Sequence, residues 1–366
     1  MTNSLGLYIH IPFCEKKCNY CSFYSSKPLG DEREKYVEKL VAEINKWGVH
    51  TARPINSIYF GGGTPSLLCE SEIKAIMFAI KNSFTVLDDC EITCEVNPNS
   101  AESFLKGAVL AGVNRISVGI QSSNSNELEL LGRLHSFEDA ENTFKLAREL
   151  GIKNISADIM LGLPRSNIST LRESIGKIIG LKPNHISAYI LKIEENTPFY
   201  KSKDSFSLPC DDDIAEQYLF LCDTLKSFGY EHYEISNFAL NSYESRHNNK
   251  YWNCEEYIGI GPSAHSFFEG KRFYYSNSLT EFLEGKEPVF DCLGGDWEEY
   301  IMLRLRLSKG LEFKEYKNRF NKDLDESIVE RAKFLEKSGL CKVNSDRIFL
   351  TDKGMLVSNS VILNLL

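Results

Sequence analysis

Leu7-Tyr8-Ile9-His10-Ile11-Pro12-Phe13-Cys14-Glu15-Lys16-Lys17-Cys18-Asn19-Tyr20-Cys21 runs an apolar stretch directly into three thiols at C-x-x-x-C-x-x-C spacing. A cube-shaped [4Fe–4S] cluster takes one ligand per iron, and thiolate is its usual protein ligand. Three closely spaced cysteines hold three irons and leave the fourth open to a small molecule, as an open position marks a catalytic metal elsewhere. Other uses fit less well. Cys18-x-x-Cys21 would serve as half a zinc site, but no second C-x-x-C or H-x-x-x-H follows. A thioredoxin-like pair leaves Cys14 unexplained, and Ser22 stands where c-type haem attachment needs a histidine.

The rest of the composition bounds the setting. A chain of 366 residues suggests two or three domains. With 42% hydrophobic and 25% charged residues it can bury a large core. A net charge of −9 argues against a general nucleic-acid or anionic-membrane binder, so no nucleic-acid partner is expected. The N-terminus lacks the charged and long apolar regions of a signal peptide. No stretch approaches the ~18 apolar residues of a membrane-crossing helix. Eleven cysteines without an export signal read as thiols or metal ligands in a reducing, cytoplasmic setting, not as a disulfide framework.

The first half alternates strands with amphipathic helices. Strands are predicted at Leu5–Ile11, Ser57–Phe60, Glu91–Val96, Asn114–Ile120, Lys153–Met160 and His185–Leu191. Helices are predicted at Asp31–Trp47, Glu70–Lys81, Ala101–Ala111, Ser136–Leu150 and Ser169–Ile179. Such alternation implies parallel strands joined by right-handed crossovers. A closed eight-unit barrel takes about 250 residues, whereas the pattern here changes after six units, near Asn196. The expected fold is therefore α/β, an incomplete (β/α)6 barrel over 1–200.

Barrel chemistry sits at the C-terminal ends of the strands. Strand 1 leads into the cysteine loop, strand 2 ends in Gly61-Gly62-Gly63-Thr64-Pro65, and strand 3 ends in Cys94-Glu95-Val96-Asn97-Pro98. Strand 4 runs into Gly119-Ile120-Gln121, and strand 5 carries Asp158 before Leu161-Gly162-Leu163-Pro164. One such residue alone suits a cap or turn; their recurrence at successive strand ends points to a site. The glycines let the backbone approach a ligand, or make a tight turn. They are not a phosphate loop, since no Gly-Lys-Ser/Thr follows.

Residues 201–295 read as a barrel extension. Lys201–Asp213 looks loop-like, Ile214–Phe228 helical and Gly229–Ile235 strand-like. Arg246-His247-Asn248-Asn249-Lys250-Tyr251-Trp252 reads as a loop, followed by the glycine-punctuated Ile258–His265. A loop with His, Tyr and Trp suits either metal ligation and stacking on a flat macrocycle or plain packing on the barrel. Residues 296–366 read as a smaller α+β, winged-helix-like domain. Helices are predicted at Trp297–Leu307, Leu311–Phe320 and Asp325–Ser338, with a two-strand wing at Cys341–Asn344 and Arg347–Thr351, closed by Lys353–Ser360. Glu312, Glu315, Asp323, Asp325 and Glu326 interrupt its lysines, which favours packing or partner docking over DNA reading.

Taken together, Tyr8–Cys14 with Cys18 and Cys21, then Gly61–Pro65, resemble the radical S-adenosylmethionine (SAM) superfamily. Glu95–Pro98, Arg115–Ser122, Leu131–His135 and Asp158–Pro164 are similar to its oxygen-independent coproporphyrinogen III oxidase group, over essentially the whole chain. The resemblance implies that Cys14, Cys18 and Cys21 hold a [4Fe–4S] cluster whose open iron is chelated by SAM. It implies Tyr8, Tyr20, Gly62 and Glu95 around that SAM, and Gly63, Thr64, Gln121, Arg133 and Asp158 at positions touching SAM or a second SAM. The cluster's electron would then cleave SAM to methionine and a 5′-deoxyadenosyl radical; no side chain is assigned as catalytic.

Two features separate branches of the group. The oxidase carries a fourth cysteine two residues after the third, where this chain has Phe23, and a longer N-terminal arm. His247-Asn248-x-x-Tyr251-Trp252 instead resembles the H-N-x-x-Y-W signature of the haem chaperone branch. That implies binding of haem and its delivery to apo-haemoproteins such as respiratory-chain enzymes, with any membrane contact peripheral. The alternative is oxidative decarboxylation of coproporphyrinogen III propionates. Imidazole is a standard axial haem ligand; His247 is the candidate implied by the resemblance, with His265 and Cys254 behind it.

Overall fold

β1 (Leu5–Ile11) lies inside a twelve-stranded sheet, with every side chain but that of Tyr8 buried. An apolar run that hides both faces is the signature of an interior parallel strand. The computed structural model describes residues 4–366, the side chain of Asp204 excepted.

The predicted alternation follows. α1 (Glu32–His50), β2 (Ile55–Gly62), α2 (Glu70–Ser83), β3 (Val86–Val96), α3 (Ala101–Ala111) and β4 (Arg115–Gln121) come first. Next are α4 (Ser125–Leu130), α5 (Phe137–Glu149), β5 (Asn154–Leu161), α6 (Ile168–Gly180) and β6 (His185–Ile190). β1 to β6 pair in chain order and all are parallel. The crossover helices bury one face each, and α5 and α6 carry side-chain caps. Ser136 and Asp139 close a capping box on α5, and Asn167 with Thr170 does so on α6.

α7 (Pro198–Lys201), α8 (Asp211–Ser227), β7 (Glu231–Glu234), β8 (Asn237–Ala239), α9 (Arg246–Trp252) and β9 (Tyr257–Ile260) come next. β10 (His265–Phe268), β11 (Lys271–Tyr274), α10 (Leu279–Leu283) and β12 (Val289–Leu293) complete the sheet. β9 adds to β1 in parallel, and β8 adds to β6 antiparallel. Among the described residues β6 does not return to β1, so the six-unit barrel stays open.

The last segment holds α11 (Trp297–Arg304), β13 (Leu311–Glu312), α12 (Phe313–Phe320), α13 (Glu326–Glu336), β14 (Cys341–Val343), β15 (Arg347–Leu350), α14 (Asp352–Leu356) and α15 (Ser358–Leu365). Its small antiparallel sheet runs β13-β15-β14.

Several local expectations are corrected. Arg246–Trp252 is a helix, because the Ser245 Oγ accepts the Asn248 N–H at 3.3 Å and caps it. Leu311–Glu312 is a strand on Ile348 and Arg347, not the start of a helix. The stretch before residue 214 is not all loop: α8 begins at Asp211, where three aspartates face the positive end of its dipole. The glycine-punctuated run is a strand and a tight turn. A Cβ on Gly259 would meet the His265 carbonyl at 2.1 Å, so only glycine lets β9 and β10 fold back so closely.

Candidate functional site: two adjoining cavities

The C-terminal ends of β1 to β6 surround a cavity of ≈550 Å³. The cysteine loop forms one wall. Its ends are tied where Cys14 N–H donates to Ser26 O at 3.0 Å, and its middle is pinned by Asn19, which bonds Leu130 O, Leu131 O and Phe199 N–H. All three cysteines line this cavity. The Thr64 hydroxyl donates to Cys14 Sγ at 3.4 Å, and the Arg133 guanidinium donates to Cys18 Sγ at 3.4 Å. Arg133 also bonds Gly119 O at 2.7 Å and Asn97 Oδ1. Its buried Nε has no acceptor among the described residues. Cationic and hydroxyl donors aimed at sulfur suit thiolates that carry negative charge.

Glu95 and Asp158 face the same space. Glu95 accepts from the Tyr59 hydroxyl at 3.0 Å and from the Gly62 N–H at 3.2 Å. Burial, then the Asp158 charge, raise its carboxyl to about 7. Asp158 accepts from Ser117 at 2.8 Å and Ser156 at 3.3 Å, and burial raises it as well. Both residues line this cavity. Two raised carboxyls in one cavity favour a cationic ligand there, which would stabilise their charged forms. Burial likewise raises the Tyr20 phenol, which lies in the cavity wall beside Cys18 and Arg133.

Three thiols, an unpaired guanidinium nitrogen and two raised carboxyls fit a thiolate-held cluster and a ligand with ammonium and sulfonium charges. Gly62 sharpens the fit. Its φ is +111°, and a Cβ there would strike the His10 ring at 2.5 Å. The cavity also gathers Gly63, Gln121 and the strand-end Asn97, and adds residues assigned no role from sequence: Tyr59, Ser117, Tyr189, Lys192 and Glu194. The last three stand at or just after the end of β6, so extending the strand-end rule by one strand would have found them.

A second cavity of ≈630 Å³ adjoins the first, sharing Ser22, Phe23, Gly62 and Glu95. Its walls are aromatic: Tyr8, Tyr24, Tyr251, Trp252 and Tyr257, with His265, Arg272 and Glu299 at the far side. Both volumes fall in the ~300–1,000 Å³ range of cofactor and small-molecule sites.

The H-N-x-x-Y-W residues divide. Tyr251 and Trp252 line the second cavity, whereas His247 and Asn248 line neither. His247 is fully buried against β1 and β2. Its Nδ1 is paired with Ser57 Oγ at 3.0 Å and its Nε2 with the Tyr251 hydroxyl at 2.8 Å. Burial, helped by Lys250, lowers its pKa to about 3, so the ring is neutral. Asn248 contributes its backbone N–H to the cap of α9.

Residues 8–178 match the family model of the radical SAM superfamily, and residues 296–357 match the HemN C-terminal domain. The structure of coproporphyrinogen III oxidase (HemN) from Escherichia coli superposes with a TM-score of 0.85, covering 99% of this chain and 90% of that one. At 21% identity this likeness speaks for the fold. The molecule thus has a radical SAM fold with a HemN-type C-terminal domain. Heme chaperone HemW of Bacillus subtilis is 35% identical, covering 97% of both chains. Heme chaperone HemW of Haemophilus influenzae is 34% identical over 98% of this chain and 97% of that protein. Radical S-adenosyl methionine domain-containing protein 1, mitochondrial, of Danio rerio is 38% identical over 72% of this chain and 60% of its own length. This chain belongs to the heme chaperone HemW family.

Proposed function

We propose that this protein binds haem in the aromatic cavity and passes it to apo-haemoproteins. A [4Fe–4S] cluster on Cys14, Cys18 and Cys21, with SAM beside it, occupies the neighbouring cavity. The observation that carries this reading is the pairing of the two spaces: one lined by thiols and carboxyls, the other by flat aromatic side chains, meeting at Gly62 and Glu95.

When bound, cluster and SAM supply one-electron chemistry that side chains lack. This chain's own residues hold and shield. The Arg133 guanidinium would offset charge on the Cys18 sulfur, and the Thr64 hydroxyl donates a hydrogen bond to the Cys14 sulfur. Glu95 and Asp158 would receive the positive groups of SAM. Tyr251, Trp252 and Tyr257 present faces and edges on which a macrocycle packs. Among the described residues no helix is long and apolar enough to cross a membrane. We assign the protein to the cytoplasm, with membrane-bound recipients reached by peripheral contact.

The test is anaerobic reconstitution followed by hemin titration and mixing with an apo-cytochrome acceptor. One haem per chain and transfer of the haem spectrum to the acceptor are expected. Failure to bind hemin, with accumulation of protoporphyrinogen from coproporphyrinogen, SAM and a reductant, would overturn the reading in favour of the oxidase.

A further inference from the structure

The seven histidines of the chain differ sharply in what their rings already do. His10 pairs with the Tyr8 hydroxyl at 3.1 Å and Tyr24 O at 3.0 Å. His185 pairs with Ser156 at 2.8 Å and the Tyr233 hydroxyl at 2.9 Å. His232 pairs with Asp352 at 2.9 Å and Ile235 O at 3.3 Å. His247 has both nitrogens engaged and no exposed surface. His135 is buried under Ile120 O, and His50 is exposed at the end of α1; neither lines either cavity.

His265 is different on every count. It stands at the start of β10, its side chain is exposed, and it lines the aromatic cavity. Among the described residues its ring nitrogens have no hydrogen-bond partner. Its ring stacks on Tyr274, with centroids 5.3 Å apart and an interplanar angle of 28°, which limits its rotation. Cys254 does not compete: it is 2% exposed, outside the cavity, and burial raises its thiol to about 11.

Resting on the haem-binding reading, we propose that His265 supplies the axial nitrogen to haem iron in the aromatic cavity, with His247 positioning Tyr251 from behind the wall. The linkage is direct, since His247 Nε2 and the Tyr251 hydroxyl are 2.8 Å apart, one helical turn along α9. Tyr251 in turn packs edge-on to Tyr257, with centroids 4.5 Å apart. Trp252 adds a buried Nε1–H with no acceptor among the described residues, a donor that a haem propionate would satisfy.

The experiment is hemin titration of the full chain, read by affinity and by the Soret and ligand-field bands of the ferric complex. His265→Ala is expected to lose the histidine-ligated spectrum and to bind on the order of tenfold or more weakly. Millimolar imidazole is expected to restore the wild-type spectrum to that variant. His247→Gln and Tyr251→Phe are expected to keep the histidine-ligated spectrum, to weaken binding by similar factors, and to show no additional loss when combined. A His265→Ala protein with unchanged affinity and bands overturns the assignment. So does a folded His247→Gln protein that alone loses the histidine signature. If the wild type itself fails to take up one haem, the haem-binding reading fails first, and the two failures are told apart.

Discussion

The cluster cavity and the aromatic cavity share Ser22, Phe23, Gly62 and Glu95, yet they differ in what sets each apart: thiols in one, a cluster of rings around an exposed imidazole in the other. The first collects charge: three thiols, a guanidinium with a free nitrogen, and two carboxyls raised by burial. The second collects rings, with the exposed His265 imidazole and the charged Glu255, Arg272 and Glu299 around them. A charged cavity has to be organised before its ligand arrives, because unpaired buried charge is costly. Arg133, Ser117 and Tyr59 do that here. An aromatic cavity needs only faces held at the right angle, so its support comes from behind, from His247 and α9. The same contrast explains why one motif lines its cavity in full while the other sends only Tyr251 and Trp252 to the surface.

The contrast can be broken at the cysteines first. Cys18→Ser is expected to abolish stable cluster assembly, measured as iron and sulfide content after anaerobic reconstitution. At the seam, Gly62→Ala is expected to lower stability by about 3 kcal/mol or more, since it combines a φ of +111° with a clash on His10. Thermal melting checks it, and both cavities should lose ligand binding together.

Glu95→Gln probes the shared wall by pH. The folded Glu95 carboxyl lies at about 7, above its ordinary 4.5. Its favourable contribution is therefore complete below about pH 4.5 and is lost as pH rises through about 7. Glu95→Gln should melt close to wild type at about pH 5 and above it at about pH 8. The gap should be on the order of 3 kcal/mol in the cluster-free protein. The opposite slope would contradict the buried carboxyl. Arg133→Ala should cost roughly 1.5–3 kcal/mol through its lost charged hydrogen bonds, and should lower cluster occupancy while sparing hemin affinity. The smallest effect is expected for Phe23→Ala. That side chain is 65% exposed, so stability should stay within about 0.5 kcal/mol of wild type, while hemin binding weakens slightly because Phe23 lines the shared rim.

The parallel core was legible because its strands are buried on both faces over most of their length, from all but one side chain of Leu5–Ile11 to the first four residues of His185–Ile190. Short edge elements were not. β8 to β12 have three to five residues each and draw their stability from neighbours already in place, such as β9 on β1. α9 has seven residues, two asparagines and no apolar stripe, so only its Ser245 cap marked it. Once it is known to be a helix, the four-residue spacing of His247 and Tyr251 already sets them on one face. Whether that face looks into a cavity or onto the sheet is decided by Ser57 and Gly6, which lie far away in sequence.

The most direct test is hemin titration of a Cys14→Ser, Cys18→Ser, Cys21→Ser protein that carries no cluster. One haem per chain with the wild-type histidine-ligated spectrum is the expected result, because the haem site lies among rings on the other side of Gly62. Loss of haem binding with the three thiols, or a thiolate-type spectrum in the wild type that vanishes in the variant, would contradict two separate sites.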